Sequence, residues 1–196
     1  MTSSIASSIP AWNSAGVLPP IRPNAPGISP DRSPYVVDLA VFFDRFATSP
    51  ERMEILEGLL RFRADLHAAS ITSGFQWLDG SFLEQVEVLE GRGPRDMDVV
   101  TFLDLPQGLD QRSLVQRHGS LFDQKSVKAT YAMDAYFAVL GQPTDQWQVK
   151  NIAYWYSLWS HRRDGLWKGF VQVDLDPSQD GDARAILNLA GGVHHD

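Results

Sequence analysis

The hydrophobic positions of this chain change period several times, and each change marks an element. Leu39, Phe42, Phe43 and Phe46 fall at helical spacing and predict a helix over 36–47. Ser49-Pro50-Glu51 then supplies a capping hydroxyl, a first-turn proline and an acid near the positive helix end. The helix it opens is expected to run to about residue 69 and to bury Met53, Leu56, Leu59, Leu60 and Leu66. Phe75-Gln76-Trp77-Leu78 reads as the first strand of a sheet, and Val99, Val100, Phe102 and Leu103 belong to a second. Pro106 and Gly108 break the chain before a short helix over 110–118. Ala129 to Leu140 carries one charge, Asp134; its length and aromatic content favour a strand, with a buried helical segment as the alternative. Trp147, Ile152, Trp155, Tyr156 and Trp159 predict an aromatic-rich helix over 144–160. Gly169 to Leu175 predicts a last strand, and residues 182–189 a closing helix ended by Gly191-Gly192. Helices and strands interleave without a strict repeat, which predicts an α/β or α+β fold with a mixed β-sheet and flanking helices.

The opening residues behave differently. Pro10, Pro19, Pro20, Pro23, Pro26, Pro30 and Pro34 forbid a regular helix and favour an extended path. Ile9, Trp12, Val17, Leu18 and Ile21 are apolar enough to pack this segment onto the rest, a loose tail being the equal alternative. The expected organisation is a Pro-rich N-terminal arm over 1–34 and a single domain over 35–196.

Composition narrows the class. With 196 residues, 43% hydrophobic and 21% charged, the chain has the profile of an ordinary globular protein with one substantial core. No apolar run approaches the length that spans a bilayer, and the expectation is no secretory signal and no membrane partner. The absence of cysteine excludes disulfides and thiolate metal sites and fits a cytoplasmic location. A net charge of −7 argues against broad binding to duplex nucleic acid, while leaving room for a nucleotide or a nucleic-acid end at a local basic patch.

The chemistry concentrates between Asp79 and Phe102. Asp96 and Asp98 open an apolar run, and residues two apart on a strand project to one side. Carboxylates held that close repel unless a cation or a proton compensates, and such a pair forms part of a Mg²⁺ shell. A third carboxylate would let two metals flank a displacement at phosphorus. Asp134 is the choice, because a lone charge in an apolar strand is costly without a cation; Asp174, at the end of another apolar strand, is the rival. Upstream, Gly80-Ser81 lets backbone approach something bulky such as a phosphate.

Gly80-Ser81, a spacer from Phe82 to Arg95, Asp96-Met97-Asp98 and a later strand carboxylate resemble the core of the nucleotidyltransferase superfamily that includes DNA polymerase beta and the minimal nucleotidyltransferases. The spacer is slightly longer than the common form. Trp77 to Phe82, Pro94 to Val100 and the opening Ile9-Pro10 to Leu18-Pro19-Pro20 are similar to a small bacterial branch of it. The resemblance implies metal-dependent transfer of a nucleoside monophosphate from a nucleoside triphosphate to an acceptor hydroxyl, with release of pyrophosphate. It implies Mg²⁺, or Mn²⁺ in its place, on Asp96, Asp98 and Asp134, which are both catalytic and metal-binding, and phosphates against Gly80 and Ser81. The acceptor is left open among a protein hydroxyl, a tRNA end and an oligonucleotide. A setting in phage defence or a toxin–antitoxin system, with an oligomer or partner protein, is compatible. The alternative is a catalytically inactive nucleotide-sensing or protein-binding module on the same fold.

Arg162, Arg163 and Lys168 form the clearest basic cluster, suited to a triphosphate or a leaving pyrophosphate, and Lys128 and Arg95 are further candidates for phosphate contact. The even alternative for the cluster is a solvated turn. Arg112/His118 and Arg61/His67 both fit an Arg-x5-His spacing; a pattern that occurs twice by accident carries little weight, and all four are expected at the surface. The face from Trp147 to Trp159 is expected to be core rather than a base-stacking platform. His194 and His195 are expected to do nothing structural.

Overall fold

A computed structural model describes residues 8–193. Its five strands are β1 (Tyr35–Val36), β2 (Gly74–Asp79), β3 (Met97–Leu103), β4 (Met133–Val139) and β5 (Val171–Asp174), in the order β1-β5-β2-β3-β4. β2 runs antiparallel to both neighbours, whereas β1 is parallel to β5 and β3 to β4. The sheet is therefore mixed, with flanking helices, as the alternation of patterns requires. The short β1, which no hydrophobic alternation announces, precedes Phe75 to Leu78 in the sheet, so that segment is the second strand and not the first.

The helices are α1 (Leu39–Phe46), α2 (Pro50–Ala68), α3 (Val86–Leu89), α4 (Gln111–Arg117), α5 (Gly119–Phe122), α6 (Gln124–Tyr131), α7 (Gln146–Trp159) and α8 (Asp180–Val193). α1 buries Leu39, Phe42, Phe43 and Phe46. α2 begins where expected: Ser49 Oγ accepts from the Arg52 amide at 3.3 Å, with Pro50 in the first turn. Leu56, Leu59, Leu60 and Leu66 are buried, and Met53 is partly so. Two arginines of α2, Arg52 and Arg63, are fully buried as well.

The stretch 129–140 divides between the two readings left open for it. α6 is capped by Asp123, whose carboxylate accepts from the Ser126 amide, and buries Val127 and Tyr131 one turn apart. Ala132 then takes a left-handed conformation (φ 57°), ends the helix and starts β4 one residue later.

The Pro-rich segment from residue 8 onward is pinned to the domain. Val17 and Leu18 are buried, Trp12 Nε1 donates to the Leu83 carbonyl at 2.7 Å, and the Gly169 amide donates to the Leu18 carbonyl at 2.7 Å. Residues 1–7, and His194 and His195, lie outside the described residues. No helix among the described residues is long and apolar enough to cross a membrane.

Candidate active site: a carboxylate row at one end of the sheet

Strand register builds the site. Asp79, the last residue of β2, pairs with Asp98 on β3, and Asp98 pairs with Asp134 on β4. Directly paired residues share a face of the sheet, so three carboxylates form a row across three strands. Asp96 joins them from just before β3. Asp174 does not: β5 runs antiparallel to β2 and places Asp174 opposite Phe75, at the far end of β2 from Asp79. The third carboxylate of the group is Asp134, and the rival lies elsewhere.

Gly80 follows the row with φ +88°, a conformation that side chains rarely adopt. A Cβ there would stand 2.7 Å from Asp98 Oδ2. The glycine is therefore required by the carboxylate it packs against, independently of any phosphate. Ser81 opens a 3-10 turn, Ser81–Leu83, that two anchors fix. The Phe82 ring packs 5.5 Å from that of Phe46. Arg52 donates from Nη1 to the Phe82 carbonyl at 2.6 Å and from Nη2 to the Glu84 carbonyl at 2.7 Å, and pairs with Glu87.

The four aspartates, Gly80 and Ser81 line a cleft of about 660 Å³ together with Tyr136, Arg162, Arg163, Lys128 and Lys168. Two lysines meet the acids in different ways. Lys128 Nζ bridges Asp96 at 2.8 Å and Asp134 at 2.7 Å, and its side chain is half exposed. Those two hydrogen bonds, Asp134 first, hold its pKa above the ordinary lysine value. Lys168 is buried, with Asp79 at 3.0 Å and Glu84 at 3.2 Å. Burial opposes its charge, and the two carboxylates outweigh that and raise its pKa. Lys168 is thus a buried counter-ion at the cleft wall, whereas Arg162 and Arg163 line the cleft from the turn after α7. Arg162 also pairs with Asp164 at 3.0 Å. Arg95 is exposed.

Asp98 is the uncompensated member. Burial, then Asp134, then Asp96 push its pKa up to about 6, and the two lysines only partly oppose them. Asp79, fully enclosed, is pushed up to about 7 by burial against the pull of Lys168. Among the described residues no three His, Asp or Glu side chains are drawn together closely enough to enclose a metal ion. The cation standing between Asp96 and Asp134 is Lys128.

Sequence reasoning gave no role to Asp79, Glu84, Tyr136 or Arg52. Asp79 closes an apolar strand, the same signal that singled out Asp134. Glu84 and Arg52 leave no comparable local mark, since their partners are 84 and 30 residues away. The Arg-x5-His pairs gain nothing from the structure. His67 is not at the surface, however: its Nε2 lies 2.9 Å from the Leu175 carbonyl and its Nδ1 3.3 Å from Asp180. The α7 face divides. Trp159 is buried and Trp155 partly so, but Trp147 and Tyr154 point to solvent, because the helix turns only one side to the sheet.

Fold and site together define an α/β domain whose mixed sheet ends in an acidic cleft beside a glycine turn. Residues 10–174 match the family of unknown function DUF6932, and the chain belongs to that family. No curated protein and no solved structure matches it.

Proposed function

We propose that the cleft is the active site of a Mg²⁺-dependent nucleotidyltransferase. The observation that carries the reading is the register: Asp98 and Asp134 are cross-strand partners, Asp96 joins them, and the Gly80-Ser81 turn lies against Asp98. The donor set fits a hard divalent cation in its chemistry, since it is all oxygen, carries excess negative charge and already attracts one cation, Lys128, and its carboxylates would have to draw inward to enclose the metal. Asp96, Asp98 and Asp134 would hold Mg²⁺, or Mn²⁺, and the half-exposed Lys128 is free to turn toward the triphosphate. When bound, the metal neutralises the phosphates and the charge that develops on the leaving pyrophosphate.

The protein's own groups supply the rest. The Gly80 and Ser81 backbone and the Ser81 hydroxyl cradle the phosphates, and Arg52 keeps the following turn rigid. Arg162, Arg163 and Lys128 offset the charge of the departing pyrophosphate. The acceptor hydroxyl oxygen forms a bond to the α-phosphorus, the bond from that phosphorus to the bridging oxygen breaks, and pyrophosphate leaves with the electron pair. The hydroxyl proton passes to a carboxylate of the cleft. Lys168 acts from beneath, holding Asp79 and Glu84 in place.

A second reading, a nucleotide-sensing module without catalysis, is favoured by one observation: the lysine ammonium between Asp96 and Asp134 satisfies two of the three acids without metal. Incubation with labelled nucleoside triphosphates and Mg²⁺ or Mn²⁺ separates the two. The expected result is pyrophosphate release that Asp98→Asn abolishes. Nucleotide binding with no release in the wild type would support the sensing module.

A further inference from the structure

α7 is unusual on two counts. The first is exposure: Trp147 is 67% exposed and Tyr154 56%, yet both are aromatic and sit seven residues apart on one flank of the helix. The second is charge. In a chain of net charge −7, no Asp or Glu occurs between Gln146 and Arg163, while Lys150, Arg162 and Arg163 do. Neither Lys150 nor Arg163 forms an ion pair among the described residues. Asp145 and Asp164 bracket the stretch; Asp145 is engaged in capping α7, and Asp164 pairs with Arg162.

This flank is continuous with the cleft. Tyr154 packs edge-on against Trp155 at 5.1 Å, and Trp155 packs at 4.7 Å against Tyr136, which lines the cleft beside Asp134. Near the end of the helix Leu158, and in the turn beyond it Arg162 and Arg163, also line it. Aromatic faces thus lead outward from the carboxylate row to solvent, with cations alongside. Aromatic platforms flanked by cations are what a single strand of nucleic acid requires: bases stack on the rings and phosphates meet the cations. A duplex hides its base faces and demands a far larger basic surface. A hydrophobic protein contact would be depleted of lysine as well as of carboxylates, whereas this stretch loses its acids and keeps Lys150, Arg162 and Arg163.

We propose that the α7 flank binds a single-stranded nucleic-acid segment and leads its end into the cleft. Resting on the transferase reading, this assigns the acceptor to single-stranded nucleic acid, whose terminal hydroxyl would receive the nucleotide. Binding itself needs neither metal nor transfer.

The test is fluorescence anisotropy of a labelled 12-nucleotide single strand, RNA and DNA in parallel, without nucleotide or Mg²⁺. The proteins are the wild type, Trp147→Ala/Tyr154→Ala and Lys150→Glu. Both aromatic side chains are mostly exposed, so the fold is expected to survive their loss, and a thermal melt checks it. The expected result is saturable binding of at least one single strand, stronger than to a duplex of the same length and weakened by salt. The double variant should bind at least tenfold more weakly and Lys150→Glu several-fold more weakly. No binding, or binding that the folded double variant retains, overturns the proposal. So does concentration-dependent dimerisation that the double variant loses without any oligonucleotide binding, which would make the flank a contact between copies. If the strand binds but takes up no label in a separate incubation with nucleoside triphosphate and Mg²⁺, the binding flank stands, the assignment of the strand as acceptor falls, and pyrophosphate release decides the transferase reading on its own.

Discussion

Buried charge is handled in opposite ways in two regions of this protein. Around Arg63, every contact is complementary: Nε donates to Asp180 at 2.7 Å, Nη1 to Gln76 and to the Asp174 carbonyl at 2.9 Å each, and Nη2 to the Asp176 carbonyl at 3.2 Å. Arg52 is satisfied in the same manner. In the cleft, seven carboxylates (Asp79, Glu84, Glu90, Asp96, Asp98, Asp134 and Asp164) face five cations (Arg92, Lys128, Arg162, Arg163 and Lys168), and Asp98 is raised well above an ordinary carboxylate. The first region holds strands and helix ends together. The second is negative beyond what its own cations neutralise, which stores a preference for an added cation. Removing Arg63 and removing the charge of Asp98 should therefore have opposite signs.

The largest effect is expected from Arg63→Met. It leaves Gln76 Oε1 buried without its donor and the partly buried Asp180 with His67 alone, a loss of about 3 kcal/mol by urea denaturation. Arg52→Met should cost a similar amount and also reduce transfer, because it frees the turn after Ser81. Equal stability of wild type and Arg63→Met would remove the contrast at its structural end.

Gly80→Val comes next. Its Cβ would meet Asp98 Oδ2 at 2.7 Å and its backbone would be held at φ +88°, a strain of about 2 kcal/mol. Transfer should be abolished, whereas Ser81→Ala, which loses one hydroxyl, should retain much of it. Near-native activity in both variants would make Gly80-Ser81 an ordinary turn.

Asp98→Asn should do the reverse and stabilise the metal-free protein by about 1 kcal/mol at pH 7. The folded chain keeps a proton on Asp98 up to about pH 6, where the unfolded chain has released it from about 3.8. The wild type accordingly loses stability from this group as pH rises through that window. The gain from asparagine should be present at pH 7 and vanish near pH 4. Paired melts across pH check this; a variant that melts lower at pH 7 would make Asp98 a structural acid.

Lys128→Met should be the mildest. The ammonium is half exposed and solvent screens it, so the cost is about 0.5 kcal/mol. Stabilisation by added Mg²⁺ should be at least as large as in the wild type, since the competitor for Asp96 and Asp134 is gone; a smaller Mg²⁺ response would show that the lysine does not occupy the metal's place.

How far the sequence foretold these regions follows from the range of the interactions. Asp96, Asp98, Gly80 and Ser81 were legible because strand alternation and glycine chemistry are local. Asp134 was chosen over Asp174 on the cost of a lone charge, and the structure separates them by strand direction, which no pattern in either segment encodes. The boundary at Ala132 was missed because Tyr131 and Met133 are equally apolar on either side of it. Arg52 and Arg63 carry no local mark in the sequence, because the groups that satisfy them are far along the chain. The exposed half of α7 looked like core because aromatic spacing does not reveal which side of a helix meets the sheet.

The central claim is that the carboxylate row and a triphosphate share a metal. Calorimetric titration of nucleoside triphosphates into the wild type, with and without Mg²⁺, tests it directly. The account predicts that Mg²⁺ tightens binding of at least one of them tenfold or more and that Asp98→Asn loses the increment. Equal affinity with and without Mg²⁺ in the wild type would contradict it.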